Sequence, residues 1–263
     1  MHPFRTADFV SPHPEESTAY IVLLMERMAE IARELDRSQD AEEFSRCAGA
    51  AREGYQALVR TQKHSLDTDR QAKLVRPLFI KLLDEEQTGY ARKRLLQALE
   101  NYGWRLGTGF LSTPLILYVL ADMDIEYAYR LLENQELPGW LCMPKLGATT
   151  IWENWEGTES DAPASLNHYS KGAVIQWVFD TMCGIRLGGE NEFIIAPRPG
   201  GHFTNAKAEY ASVYGKVSCG WKRSSEGLEF EVAIPANCRA LVRLPDGSEQ
   251  EQAAGERQYF IAQ

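Results

Sequence analysis

From Ser17 to Arg37 the apolar side chains recur at intervals of three and four: Ile21, Leu24, Met25, Met28, Ile31, Ala32 and Leu35. That period puts them on one face of an amphipathic helix and predicts that the face is core. Ser17 or Thr18 would cap it. The stretch DAEEFSRCAGAAREGYQALVRTQK repeats the pattern through Phe44, Cys47, Ala48, Ala51, Tyr55 and Leu58. Further helices are expected over 72–83, kinked or restarted at Pro77, and over 85–102. GWRLGTGFLSTP then interrupts the period with three glycines and a proline. A fifth helix is expected over 114–121, with Pro114 in its first turn, and a sixth in DIEYAYRLLENQ. The last is LNHYSKGAVIQWVFDTMCGI, with Ala173, Val174, Trp177, Val178 and Met182 on one side. Short links between these helices imply antiparallel neighbours.

Beyond Gly188 and Gly189 the period changes. NEFIIAPRP, KAEYASVYGKVSCGWKR, GLEFEVAIP and CRALVRLPDG are short, β-rich and bounded by Gly, Pro and Asn. Leu228-Glu229-Phe230-Glu231-Val232 alternates strictly, as a half-buried strand does. The expected organisation is a helical domain over 1–187 and an antiparallel β-sandwich over 188–263, so the fold class is mainly α with a β domain. No short repeat and no low-complexity tract is visible.

The net charge of −9 over 263 residues argues against nucleic acid or an anionic membrane as the main partner, since both need a basic face, and neutral ligands stay open. The five cysteines, Cys47, Cys142, Cys183, Cys219 and Cys238, are odd in number and widely spaced. That is neither a disulfide framework nor a zinc site, and most are expected to be buried thiols in a reducing compartment. The N-terminal stretch has no apolar run of the signal-peptide kind, and a cytoplasmic location is expected. His2, His13, His64 and His202 have no metal-ligand spacing, and no GxSxG elbow occurs. No cofactor or metal is expected.

The chemistry concentrates in GATTIWENWEGTESDAPASLNHYSKGA, residues 147–173, which puts two Trp, four carboxylates, a His and a Tyr into loop-like composition. Glu153 stands between Trp152 and Trp155. Indoles beside a carboxylate desolvate it and move its pKa. Aromatic faces also stack on the apolar face of a sugar while Glu153, Asn154, Glu156, Asn167 and His168 bind hydroxyls. The alternative is that the Trp side chains plug the core and the acids face water. Gly107 and Gly109 permit close backbone approach or a positive φ, and serve equally in a tight helix connection. Trp140, after a Pro-Gly turn, reads either as an exposed platform or as a packing anchor.

In order, LGTGFLSTP, AYRLL, LPGWL, GATTIWENWEG and NHYSKGA closely resemble the bacterial α-L-rhamnosidases of glycoside hydrolase family 78. The tail AEYASVYGKVSCGW and VAIPANCRALVRLP is similar to that family's C-terminal β-sandwich. The resemblance runs from about Ala7 to the end, with Ala7, Asp8 and Phe9 where the family has Gly-Asp-Trp. It implies an (α/α)6 barrel joined to a sandwich, and inverting hydrolysis of terminal α-L-rhamnose by a carboxyl pair roughly 6.5–9.5 Å apart. By similarity Glu153 would be the general base, His168 would contact a sugar hydroxyl, and Trp140, Trp152 and Trp155 would line the rhamnose pocket. The family's general acid lies in an upstream Arg-rich segment that this sequence does not contain, and Gly139 stands where the family often has Ser. Only about seven helices are expected by periodicity, half of a double ring. The implied object is therefore the C-terminal portion of the enzyme, incomplete for catalysis alone. A homodimer or complex would cover its open half barrel, and a rhamnoside or other small glycan would be its ligand. The other reading is a degenerate relative that only binds sugar or assembles.

Overall fold

The computed structural model describes residues 13–61, 65–161 and 164–262. The expectations for Ala7, Asp8, Phe9, His2 and His64 lie outside the described residues. By compactness the chain divides into two units, one ending at Val119 and one beginning at Leu120.

In the first unit, α1 (Pro14–Glu34), α2 (Ser38–Thr61), α3 (Gln71–Ile80) and α4 (Glu85–Asn101) pack as successive helices, and α5 (Thr113–Met123) begins there. Helix α1 starts earlier than expected, with Pro14 in its first turn and His13 as cap residue. Pro77 lies inside α3, so the helix continues through it. Helix α4 opens on a capping box: Asp84 accepts from Gln87 N at 2.8 Å, and Gln87 Oε1 accepts from Asp84 N at 3.1 Å. Asp-x-x-Gln before a helix satisfies two backbone donors at once.

The core of α1 is not the face that periodicity suggested. Ala19, Val22, Ala29 and Ala32 are buried, whereas Ile21, Leu24, Met28, Ile31 and Leu35 are 40–63% exposed. Small residues let the backbones of α1 and α2 approach closely. The large residues form a separate stripe spaced three, four, three and four. On α2 the buried positions are Ala41, Ala48, Tyr55 and Val59, and Cys47 is exposed, unlike the other four thiols.

A charged cluster is buried between α1 and α3. Arg76 Nη2 lies 2.6 Å from Glu15 Oε2, and Arg76 Nη1 lies 2.8 Å from Glu16 Oε2. Tyr55 OH donates to Glu15 Oε1 at 3.1 Å, and Arg76 Nη1 donates to Ser112 Oγ at 3.2 Å. The pairing is what allows an arginine only 5% exposed. Burial pushes the Tyr55 phenol far above its ordinary value, with the Glu15 charge adding to it.

The second unit opens with the rest of α5, then α6 (Ile125–Leu132), capped by Asp124. The helix expected from residue 166 onward is broken. It exists as α8 (Tyr169–Gly172), α9 (Val174–Trp177) and a wide π-turn over Val178–Met182, while α7 (Cys142–Lys145) is one further turn. Trp177 is the buried anchor of this run, with its ring edge-on to Tyr129 at 5.3 Å. No described helix is long and apolar enough to cross a membrane.

Strands begin at Ile185, just before the Gly pair: β1 (Ile185–Gly189), β2 (Glu192–Ile195), β3 (Asn205–Ser212), β4 (Gly215–Arg223), β5 (Gly227–Arg243) and β6 (Glu249–Ala262). Their order is β1-β2-β5-β4-β3, with β6 along the other edge of β5. The sheet is antiparallel except that β2 runs parallel to β5 through Phe193↔Ala240 and Val242↔Ile195. β5 is shared: its first half pairs β4, its second half pairs β2, and β6 accompanies both. Between the halves, 235–238 bulge against β6, with Asn237 at φ 61°. Phe230, Val232, Ile234, Cys238, Ala240 and Val242 are all buried, so the alternation survives the bulge. One strand thereby joins both parts of a single curled, mixed sheet.

The sheet is tied to the helical part of its own unit by backbone contacts. Trp221 Nε1 donates to Met182 O at 2.9 Å, and Tyr129 OH donates to Arg198 O at 2.7 Å. Gly200 and Gly201 lie against α6, where a Cβ would come within 2.5 Å of Tyr129 or Glu133.

Candidate functional site

The loop that carries the candidate residues is built as two short extended segments side by side. Glu153 N donates to Ser165 O at 2.8 Å, and His168 N donates to Ile151 O at 2.7 Å. Thr150 Oγ1 adds a bond to Leu166 O. This antiparallel clip pairs Glu153 with Ser165 and Ile151 with His168, residues that the sequence places far apart along the same loop. Extended residues alternate sides, and here Ile151 is half-buried, Trp152 buried and Glu153 exposed.

Trp152 therefore faces inward. It packs on Cys142 and Met143, with Ala148, Ile151 and Trp155 at the edge of that cluster. Gly157, at φ +59°, turns the chain over the indole, where a Cβ would lie 2.1 Å from ring carbons. The Glu153 carboxylate points outward instead of being enclosed by the two indoles. Its Oε2 accepts from Ser165 N at 3.0 Å, which holds it at the loop surface.

Trp140, Trp155, His168 and the Glu153 backbone converge on a residue that the sequence reading passed over, Lys171. Trp140, 6% exposed, donates from Nε1 to Lys171 O at 3.0 Å. His168, 8% exposed, caps α8 by accepting at Nδ1 from Lys171 N at 3.4 Å. Lys171 Nζ donates to Glu153 O and lies 3.6 Å from the centre of the Trp155 ring. Burial pushes the Lys171 ammonium down to a pKa of about 8, against the opposing pull of Glu156 and then Glu153. The Cys142 thiol is pushed up, again by burial. Lys171 escaped notice because on a regular helix it would be a surface cation. In the sequence only its place in the broken run around Gly172 hints otherwise.

Trp140 follows the cis Leu137–Pro138 bond and is an anchor more than an exposed platform. A Cβ on Gly139 would stand 2.9 Å from Glu136 O and 3.1 Å from Asn134 O. Tyr169 is 77% exposed and stacks on His168 with ring centres 5.8 Å apart. The site thus offers an exposed carboxylate, a half-buried indole with a cation on it, a buried imidazole and an exposed phenol. Acid–base work on a water molecule and stacking against a neutral ring are within its means. Among the described residues no group of His, Cys, Asp or Glu could hold a metal. An apolar groove of about 580 Å³ lined by Ile175, Phe179, Leu187, Phe193 and Tyr210 includes none of these site residues.

In the first unit the glycine-rich connection is held by Gln71, whose Oε1 accepts from Gly107 N at 2.8 Å and whose Nε2 donates to Arg105 O at 2.9 Å. Gly107 permits that approach, since a Cβ would meet Gln71 at 2.9 Å, whereas Gly109 has nothing within 4 Å. This connection is a packed turn.

Residues 7–182 match the bacterial alpha-L-rhamnosidase 6 hairpin glycosidase domain, and residues 189–259 match the bacterial alpha-L-rhamnosidase C-terminal domain. An alpha-L-rhamnosidase of Streptomyces avermitilis is 33% identical over 244 residues, 89% of this chain and 24% of that relative. The crystal structure of a Streptomyces avermitilis alpha-L-rhamnosidase complexed with L-rhamnose is similar at 30% identity and a TM-score of 0.82, covering 93% of this chain and 26% of that one. The native Aspergillus terreus alpha-L-rhamnosidase is similar at 26% identity and a TM-score of 0.85, covering 92% of this chain and 30% of that one. The chain thus spans about a quarter to a third of these relatives. With both matched regions in order along it, the chain belongs to the bacterial alpha-L-rhamnosidase family.

Proposed function

We propose that this chain supplies one wall of a site that hydrolyses terminal α-L-rhamnosides with inversion, with Glu153 as general base. The observation that carries the reading is the convergence of Trp140, Trp155, Glu153 and His168 on one lysine, in a chain whose structural relative binds L-rhamnose. An exposed carboxylate fixed by Ser165 N keeps one oxygen for water. It takes a proton as that water attacks the anomeric carbon from the face opposite the leaving group. Trp155 would stack on the apolar face of the ring, and His168 would contact a hydroxyl. The leaving oxygen needs an acid from the facing wall.

A second reading, assembly without independent turnover, is favoured by the stripe Ile21, Leu24, Met28, Ile31 and Leu35. Exposed apolar rows of this size are normally covered. The cover we propose is the remaining hairpins of the six-hairpin domain, whose relatives are three to four times longer.

The test is turnover of an aryl α-L-rhamnoside by wild type and Glu153→Gln, each alone and mixed with the polypeptide that completes the barrel. The expected result is no turnover alone, turnover on mixing, and a roughly 10²–10⁴-fold loss in the Gln variant. Equal rates for both mixtures would remove Glu153 from the mechanism.

A further inference from the structure

The mechanism proposed for Glu153 gives Lys171 no chemical role, yet Lys171 is 7% exposed and touches Trp140, His168, Glu153 and Trp155. Its backbone accounts for Trp140 and for His168. Its side chain does something separate: Nζ reaches the carbonyl of Glu153 and the face of Trp155. A methionine or leucine would fill the same space without desolvating a charge. The charge makes two contacts that an apolar chain does not, a charge-assisted bond to a carbonyl and a cation on an indole face.

We infer that Lys171 is a positioning residue whose ammonium locks the Glu153 backbone to the Trp155 ring and releases both on losing its proton. The inference rests on the reading of Glu153 and Trp155 as sugar-site residues for its functional consequence, and on the geometry alone for the lock. Glu156 and Glu153 face the ammonium from the loop and Cys142 from α7, while His168 at the head of α8 accepts from the Lys171 backbone N–H. Burial lowers the ammonium to about 8, while the Cys142 thiol is raised. The lock therefore opens across mildly alkaline pH. The sign for global stability is the reverse. The folded value lies below the ordinary lysine value of 10.5, so between the two the unfolded chain binds more protons at this group. Its contribution to stability accordingly rises with pH over that window. A lock that loosens while the fold's own balance improves is distinguishable from simple unfolding.

The experiment is intrinsic fluorescence of the full chain from about pH 6.5 to about 10, wild type minus Trp155→Phe, with thermal melts alongside. The expected difference signal is a single transition with its midpoint at about 8. It should be absent in Lys171→Met and shifted out of range in Lys171→Arg, whose guanidinium does not titrate. L-rhamnose affinity by calorimetry should fall roughly ten-fold across the same window in wild type and stay flat in both variants. A transition that persists in Lys171→Met, or none in wild type, overturns the lock. If Lys171→Met fails to fold, the wild-type and Lys171→Arg titrations decide alone. Absence of rhamnose binding at every pH, with the fluorescence transition intact, would refute the sugar reading and leave the lock standing.

Discussion

Gly157 shows how little room single residues have around the indole loop. Its φ of +59° and the Trp152 ring against its Cα mean that alanine meets both backbone strain and a steric clash. Gly157→Ala should lower stability by about 1–3 kcal/mol in urea unfolding. Gly109→Ala, with open space and no positive φ, should change it by no more than about 0.5 kcal/mol. Equal effects would mean that the loop does not pack as described. The same stretch shows what was legible residue by residue. An extended Ile-Trp-Glu must send Trp152 and Glu153 to opposite sides, so the burial of one and the exposure of the other follow once the segment is known to be extended. Composition alone suggests a carboxylate enclosed by two indoles. Only the pairing with Ser165 and His168 tells the segment which side is inside.

Among elements, α1 carries the clearest lesson. Its period announces an amphipathic helix but leaves open which face meets α2, because Ala19, Val22, Ala29 and Ala32 also form a stripe. The small face wins at the α2 contact. Leu24→Lys with Ile31→Lys should shift the stability of this chain by no more than about 0.5 kcal/mol each while abolishing association with the barrel-completing polypeptide, as read by analytical ultracentrifugation. Unfolding of the double variant by itself would show the stripe to be core. The α1–α3 charge cluster behaves oppositely. Arg76→Met leaves Glu15 buried without its partner and should cost about 3–5 kcal/mol in equilibrium unfolding. Tyr55→Phe removes one hydrogen bond and should cost about 1 kcal/mol. A periodicity reading passes over Arg76 and Glu15, since charged residues default to the surface.

For the molecule as a whole, the hydrophobic period changes beyond Gly188 and Gly189, and the first strand begins a few residues earlier, at Ile185. The class of the fold followed from that switch. The strand order did not. That β5 runs as one 17-residue strand serving two neighbours, and that β2 meets it in parallel, depends on contacts between residues some 50 positions apart, which alternation cannot encode. The long helix expected after residue 166 broke into turns for a related reason. Trp177 and Tyr129 pack edge to face, and Arg198 N bonds to Thr181 O at 3.0 Å, so tertiary contacts override local propensity.

The sequence by itself therefore determined most of the helical and strand segments, the ordered motifs of the family and the loop in which the candidate residues gather. These depend on neighbours a few residues apart, and their physics is local. Only the tertiary structure decided which stripe of α1 is buried, that Glu153 stands exposed above a buried Trp152, and that a lysine joins Trp140, Trp155 and His168. Each of those is set by partners distant along the chain, and burial of a charge is settled by what surrounds it in space.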